Sequence, residues 1–546
     1  MSTHQRRAGE DTTAQNHYAL NQNYIRHLFY RLKIYIKLLV YLENILSPLT
    51  VKFQIIMIFY ALKRYSSKLS TFVTIRLESI MTFEPVFQIQ NKSRNEIVAA
   101  IRAAEQKIPG LVFNYPPIAI WNYVDEPSLT PEDLWDGTNR YSNNLYIHIP
   151  FCRQKCSFCY YSVVPGAKNE MIDDYLDCLE REAEMFASSI HAETKFDTLF
   201  IGGGTPGLLS PQQLDRLMTR VVKRFNVADV YESNLEFSPD TITREKIDVA
   251  RSHGTNRISM GVQSFDEQIL RMARRDETDP KRVIDQYYIL ANSGIETINL
   301  DFIAGVEKSD DESMKRTLDT LFQLDRWPNQ LALFTLSVRK GTINAKYIKD
   351  SPEDLFDRSL KIYRYAQDRI LDNGYWQYSR NLFSTGNNIF RYQDNVWGRN
   401  GYVLAIGASG YSHSHKGVYQ NIYDTKKYMS TIKEGRLPIE KMYLLSEEEQ
   451  TRRHLVLAMK HTTLNRNEFN AFYNNGEEML SRFESELDAM IECGIVGREN
   501  GKIVYSREGI AVADRYVRLF YSPNVNDAIM GINYGKKTRD PFNFTV

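Results

Sequence analysis

The chain has 546 residues, with 68 Lys plus Arg against 67 Asp plus Glu for a net charge of +1; 43% of residues are hydrophobic and 25% charged. These are globular values, and they exclude wholesale disorder and a polytopic membrane protein. The near-zero charge gives no ground for a nucleic-acid partner, and the length allows several units of about 150 residues or one large α/β body with attachments. Five cysteines, Cys152, Cys156, Cys159, Cys178 and Cys493, are too few and too uneven for a disulfide scaffold. Three of them fall within eight residues, which points to a metal or cluster site in a reducing, cytoplasmic setting.

Residues 1–80 hold eleven Lys/Arg and four Asp/Glu, a balance of +7, so the remainder sums to −6. The apolar runs Ile34–Leu42 and Phe53–Leu62 are interrupted or bounded by Lys37, Glu43, Pro48 and Lys52. A spanning helix needs about 20 mostly apolar residues, so contact of a basic segment with a membrane surface is the better expectation. No secretory signal pattern is present. The text changes to ordinary amphipathic sequence at Met81, which marks that residue as an alternative start, with residues 1–80 then outside the native protein. Residues 81–140 read as helical or irregular.

From 141 to 385 the pattern alternates. Strands are expected at Leu145–Pro150, Asp197–Ile201, Asn234–Ser238, Arg257–Val262, Thr297–Gly305 and Gln330–Ser337. Helices are expected at Met171–Ile190, Pro211–Phe225, Thr241–His253, Asp266–Ala273 with Pro280–Ser293, Asp311–Leu324 and Glu353–Asn373. Six strand–helix units of this kind predict a parallel sheet with both faces covered. The fold class is therefore α/β, a partial (β/α)6 TIM-like barrel whose site lies at the C-terminal ends of the strands. Residues 386–445 are rich in Gly, Asn, aromatics and His, and read as a substrate-side segment. Residues 446–546 read as helices plus the hairpin Ile495–Glu499/Lys502–Ser506 turning at Asn500-Gly501, a winged-helix-like domain. It carries no basic stripe, so it reads as a structural or partner-docking unit rather than a DNA reader.

The chemistry concentrates in Tyr146-Ile-His-Ile-Pro-Phe-Cys152-Arg-Gln-Lys-Cys156-Ser-Phe-Cys159. Three thiolates at spacings of four and three converge from one loop. A structural zinc ion wants four closed ligands, so a zinc knuckle would need His148 or Cys178. Three local thiolates suit an iron–sulfur cluster with one iron left open for substrate. His413 and His415 share a face if extended, and read as exposed loop residues. Cys178 and Cys493 lie on expected helices as inert core residues.

This cysteine motif resembles that of the radical S-adenosylmethionine (SAM) superfamily, and its surroundings resemble the oxygen-independent coproporphyrinogen III oxidase branch. Four further segments agree in order: Gly202-Gly-Gly-Thr-Pro206, Asn256–Phe265, Asn299-Leu-Asp301 and Ala405–Gly410. The resemblance runs from about 141 to the C-terminus. It implies a 4Fe-4S cluster on Cys152, Cys156 and Cys159. It implies SAM held by Tyr146, Gly203, Gly204, Thr205, Glu236, Gln263, Arg275 and Asp301, with Ala408 beside a second SAM or the substrate. Tyr161 and Gln263 are the candidate catalytic side chains. Electron transfer to SAM would release methionine and a 5′-deoxyadenosyl radical that abstracts hydrogen, the protein orienting the cofactor and excluding water. The implied partners are a small ring substrate (tetrapyrrole, quinone or other aromatic) and an electron donor such as flavodoxin or ferredoxin.

The chain departs from the branch at two places. The oxidase carries a fourth cysteine two residues after the third, where this chain has Tyr161. Haem-chaperone relatives share that loss and carry His-Asn-x-x-Tyr-Trp, whose counterpart here is Tyr392-Gln-Asp-Asn-Val-Trp397. The segment Gly417–Asn421 resembles class C radical SAM methyltransferases, which use two SAM. On that ground C-methylation of an sp2 ring carbon is the leading expectation, with porphyrinogen decarboxylation and haem handling as alternatives.

Overall fold

The computed structural model describes residues 92–535 apart from 105–111, 125–129, 136–141, 191–193, 276, 307, 339–341 and 474–478. The expectations for residues 1–80 lie outside the described residues.

A single 13-stranded sheet organises the chain from Asn122 to Leu444. Its centre is seven parallel strands. Six come from the expected units: β1 (Asn143–Ile149), β2 (Phe196–Gly203), β3 (Val227–Phe237), β4 (Arg257–Gln263), β5 (Thr297–Ala304) and β6 (Gln330–Thr335). They pair in chain order, β1 to β6. The seventh, β7 (Tyr402–Ile406), pairs parallel with β1 on the opposite edge. The sequence places this stretch in the Gly- and aromatic-rich substrate-side segment 386–445, without a strand. A five-residue apolar run buried among glycines carries no alternation that marks it as a strand. From β7 the sheet continues antiparallel through β8 (Tyr411–His413), β9 (Gly417–Asn421) and β10 (Ile439–Leu444). At the other end the hairpin Trp376–Gln377/Leu382–Ser384 pairs antiparallel with β6. The barrel is thus open, each end finished by antiparallel strands.

The helices follow their local signals. Pro211–Arg220 starts on a Ser210/Gln213 capping box with Pro at its first turn. Pro352–Asp372 starts on Ser351 in the same way, its side chain accepting from the Asp354 amide. Helix α1 (Asn169–Ala187) buries Tyr175, Cys178, Leu179, Glu182 and Phe186 on one face. Two further helices matter below, α2 (Arg391–Gly398) and α3 (Glu447–Ala458).

The C-terminal region is mainly helical, with a small antiparallel sheet of Thr463–Asn465, Lys502–Tyr505 and Val496–Glu499. Its hairpin turns at Asn500 and Gly501, both with positive φ (49° and 76°), as a tight two-residue turn demands. Buried charges lock this region to the barrel: Asp514 pairs with Arg380 and, at 3.4 Å, with Lys460, and all three side chains are nearly inaccessible. Lys460 also donates to the Val112 carbonyl and stands 4.1 Å over the Trp397 ring. Tyr115 donates to Glu449 of α3, so the segment before the barrel is tied to the region after it. Removing one member of such a network leaves charge buried without a partner, at about 3–5 kcal/mol. Asp514→Asn is therefore expected to lower unfolding stability by about that amount. Urea denaturation followed by far-UV circular dichroism checks it, and an unchanged midpoint would show that the network is not under load.

Candidate active site

The strand ends bring the motif residues to one mouth. After β1 the chain passes through Phe151–Cys152, and the loop folds back so that the Gly166 amide donates to the Cys152 carbonyl at 2.8 Å. Cys159 N–H donates to Cys156 O at 3.2 Å, which makes the three-residue spacing one turn. The loop is pinned from both sides: Ser157 N–H donates to Ala273 O, and Asn344 N–H donates to Ser157 O, each at 3.0 Å. Among the described residues no three His, Cys, Asp or Glu side chains gather as ligands of one metal ion would. A zinc knuckle is not preformed, whereas a cluster takes one thiolate on each iron and does not need the sulfurs gathered on a point.

The end of β2 approaches this loop without side chains. Gly204 N–H donates to Ile149 O and Thr205 N–H to Phe151 O, both at 2.8 Å. A Cβ on Gly204 would stand 2.7 Å from the Phe151 carbonyl oxygen and 3.0 Å from the Cys152 sulfur. A Cβ on Gly203, whose φ is +117°, would meet the His148 ring at 2.6 Å. Thr205 Oγ1 lies 3.5 Å from Cys152 Sγ. Arg275 reaches the same centre: one guanidinium nitrogen is 3.3 Å from Cys156 Sγ, and another donates to Ser238 and to the Gly261 carbonyl. Burial and the neighbouring thiols push Cys152 up to about 12 and Cys159 above its ordinary value. A bound cation reverses that order and deprotonates the thiols.

Two carboxylates face the mouth. Glu236, near the end of β3, accepts from the Gly203 amide at 3.2 Å, and burial with the Asp301 charge raises it to about 8. Asp301 in β5 accepts from Asn299 at 2.7 Å, and burial lifts it to about 6. Arg257, buried between Asn234 and Gln330 and 3.8 Å over the Phe390 ring, supplies positive charge to both without an ion pair. Gln263 ends β4 with φ +68°, a strained backbone for a side-chain residue that turns its amide back toward Gly261. Tyr146 and His148, on the same face of β1, share a 3.1 Å hydrogen bond. Burial holds His148 at about 4, hence neutral, and its other nitrogen lies 3.4 Å from Ser409 Oγ.

Ala408 is fully buried, and its amide donates to Tyr175 Oη at 2.9 Å. The turn around it is held by Glu182 of α1, which accepts from Gly407 N–H, Asn421 and Tyr428 at 2.8, 2.7 and 2.5 Å. Tyr161 stands beside the cysteine loop, its ring 4.6 Å from that of Tyr160.

Three sequence expectations change. Gly417–Asn421, read as methyltransferase-like, is strand β9 with all five residues buried in the antiparallel extension, and a Cβ on Gly417 would meet the Tyr443 carbonyl oxygen at 2.2 Å. Its residues are consumed by the sheet. His413 is not a loop residue: it is 1% exposed in β8, bonded to Gly401 O and Gln450. Cys178 is buried, as expected, but Cys493 is half-buried at a helix end. Sequence reasoning passed over Arg257 and Glu182, whose chemistry depends on burial, and treated His148 only as a zinc ligand. A signal for His148 was present: it sits two residues after Tyr146, on the same face of a strand.

The Radical SAM superfamily model matches residues 146–321. A haem chaperone of Bacillus subtilis, HemW, is 26% identical over 374 residues, 67% of this chain and 96% of that protein. The oxygen-independent coproporphyrinogen III oxidase of Salmonella typhimurium is 28% identical over 334 residues, 58% of this chain and 71% of that protein. Among solved structures, the Escherichia coli coproporphyrinogen III oxidase HemN aligns with TM-score 0.64 and 24% identity, covering 75% of this chain and 97% of that one. No helix among the described residues is long and apolar enough to cross a membrane.

A carboxyl raised by burial gives stability that is complete below its unfolded value and lost as pH rises through its folded value. For Glu236 and Asp301 the unfolded values are 4.5 and 3.8 and the folded ones about 8 and about 6. The cofactor-free protein should therefore lose thermal stability from about pH 4 to about pH 8. Glu236→Gln should flatten the upper part of that fall. Melting curves across this range check it, and a variant with the wild-type slope would clear Glu236 of the effect.

Proposed function

Because the chain belongs to the radical SAM superfamily, in the branch of the oxygen-independent coproporphyrinogen III oxidases and HemW, we propose that it is a SAM-cleaving enzyme acting on a reduced tetrapyrrole, by hydrogen abstraction and oxidative decarboxylation of a side chain. The observation that carries this is the side-chain-free end of β2 closing on the cysteine loop with Glu236 and Asp301 beside it. The family implies a 4Fe-4S cluster and SAM, and the donor set fits both. Cys152, Cys156 and Cys159 would hold the cluster, and Tyr146, Gly203, Gly204, Thr205, Glu236, Gln263, Arg275 and Asp301 would line the SAM site. Ala408 would stand near a second SAM. When bound, the cluster and SAM supply one-electron reduction, carbon–sulfur homolysis and hydrogen abstraction.

The chain's own residues do the rest. Gly203 and Gly204 give the cofactor backbone to approach. Glu236, whose proton burial holds to about pH 8, would give up that proton and offer a carboxylate to the cationic amino group of a bound SAM. Arg275, 3.3 Å from the Cys156 sulfur, would steady it as a cluster ligand, and Tyr146 and His148 hold each other in place on the strand before the loop. The curated relatives reported above are haem chaperones and porphyrinogen oxidases, so the C-methylation expected from Gly417–Asn421 gives way to the decarboxylation. A second reading, a haem chaperone with little turnover, is supported by the HemW relative, of which the chain spans 96%, and by Tyr161 standing where the oxidase pattern has its fourth cysteine.

An anaerobic assay of the reconstituted protein with dithionite, SAM and coproporphyrinogen III decides between them. Release of 5′-deoxyadenosine with carbon dioxide is expected, abolished in Cys156→Ala together with full cluster loading. Tight haem binding without SAM cleavage would establish the chaperone instead. Glu236→Gln should weaken SAM binding about 10–100-fold, the weight of a hydrogen bond to a charged group, and equilibrium binding of SAM would check it.

A further inference from the structure

The mouth of the site carries an aromatic wall that the cofactor chemistry does not use. Tyr161 follows Cys159 by two residues and is 47% exposed. It lines a cavity of about 890 Å³ whose other walls include Lys155, Met171 and Tyr423. Its ring centroid is 4.6 Å from that of Tyr160 at 33°, and Tyr160 lies 5.9 Å from Phe113, itself 45% exposed. Three aromatic rings in a row, two of them half exposed, form an apolar surface that solvent alone gives no reason to build.

Phe113 comes from outside the barrel, and its place is fixed. Val112, its neighbour, is buried and its carbonyl accepts from Lys460, which is buried against Trp397 and Asp514. The C-terminal region thus holds the segment that completes the wall. Beyond Tyr146 a second group of rings, Phe200 and Tyr392, is packed with centroids 5.1 Å apart, and Tyr392 also bears electrostatically on Tyr146.

We infer that Phe113, Tyr160 and Tyr161 are the stacking face that selects a large flat or macrocyclic ring as substrate, Tyr161 contributing its ring face rather than its hydroxyl. This rests on the tetrapyrrole reading above and adds the residues that recognise the ring. Aromatic faces grip a ring through area and offset stacking, with no demand for particular hydrogen bonds. Such a wall accepts a macrocycle and leaves the choice of its reacting side chain to the groups near Glu236.

The test uses the cluster-loaded full chain and coproporphyrin III, the stable oxidised form of the porphyrinogen, titrated by absorbance and fluorescence in the presence of SAM. Tyr161→Leu and Phe113→Leu should each weaken coproporphyrin III binding about tenfold, about 1.4 kcal/mol. SAM affinity, cluster content and the circular dichroism spectrum should stay at wild-type values, and Tyr161→Phe should bind the porphyrin within twofold of wild type. Leucine variants that bind it as wild type does would overturn the inference and leave the tetrapyrrole reading standing. Leucine variants that lose SAM or cluster in equal measure would also overturn it, since the rings would then only support the loop. A wild-type protein that binds no coproporphyrin III would overturn the tetrapyrrole reading itself.

Discussion

Everything at the site depends on one close approach, that of the β2 terminus to the cysteine loop. At Gly203 and Gly204 the backbone passes so near His148, Phe151 and Cys152 that no side chain fits. The backbone there spends its amides on Ile149, Phe151 and Glu236. A side chain would push the loop away from the strand ends and separate the thiols from the carboxylates. The parallel sheet is what makes the approach reproducible, because β1 and β2 are in fixed register, His148 opposite Gly202 and Ile149 opposite Gly203. Fold and site are coupled through that register rather than through any single strong bond.

The second constraint is electrostatic. Glu236, Asp301 and Glu232 are buried with raised proton affinities, and no arginine forms an ion pair with them among the contacts described. Arg257 is close enough to temper all three, but its hydrogen bonds go to Asn234 and Gln330. Glu232 is itself engaged, accepting from the Arg391 and Tyr392 amides at the start of α2. An interior with more buried acid than paired base is costly to ionise. It becomes favourable when a ligand brings its own positive charge, as a molecule with an ammonium and a sulfonium group does. The polar network is therefore poised for a cation rather than relaxed around water.

Much of this was legible in the sequence, for identifiable reasons. Strands β1 to β6 are buried on both faces and read as apolar runs. Most of their helices start on a capping Ser, Thr or Asp side chain, so both existence and order could be read. Glycine at Gly203 and Gly204, and cysteine at three close positions, signal chemistry because few structural roles need those residues there. What escaped were β7 to β10; β10 alternates buried and part-exposed residues, but β7 to β9 are short, set among glycines and mostly buried. Such stretches lack the alternation that betrays a half-exposed strand. Arg257 and Glu182 escaped for a different reason: a charged residue announces nothing about burial until its neighbours are known. His413 was misjudged in the same way, since an alternating Ser-His pattern looks solvated until β8 is seen between β7 and β9.

The two departures from the family pattern gain a common sense in the structure. At Tyr161 and at Tyr392 the resemblance leads one to expect a cysteine or a histidine, groups that bind metals through a lone pair. Both positions are occupied by phenol rings, one tilted against Tyr160 and the other between Phe200 and Phe390. Burial raises the proton affinity of Tyr392, so its oxygen stays protonated at ordinary pH and is a poor donor to a metal ion. The chain has replaced soft or nitrogenous ligands with planar hydrocarbon surface on both sides of Tyr146. Neither position offers the lone pair of a thiolate sulfur or an imidazole nitrogen. Only Tyr392 bears on carriage of a metallated ring, because the haem-chaperone pattern has an imidazole there, whereas at Tyr161 that pattern also lacks the cysteine and the position does not divide the two readings.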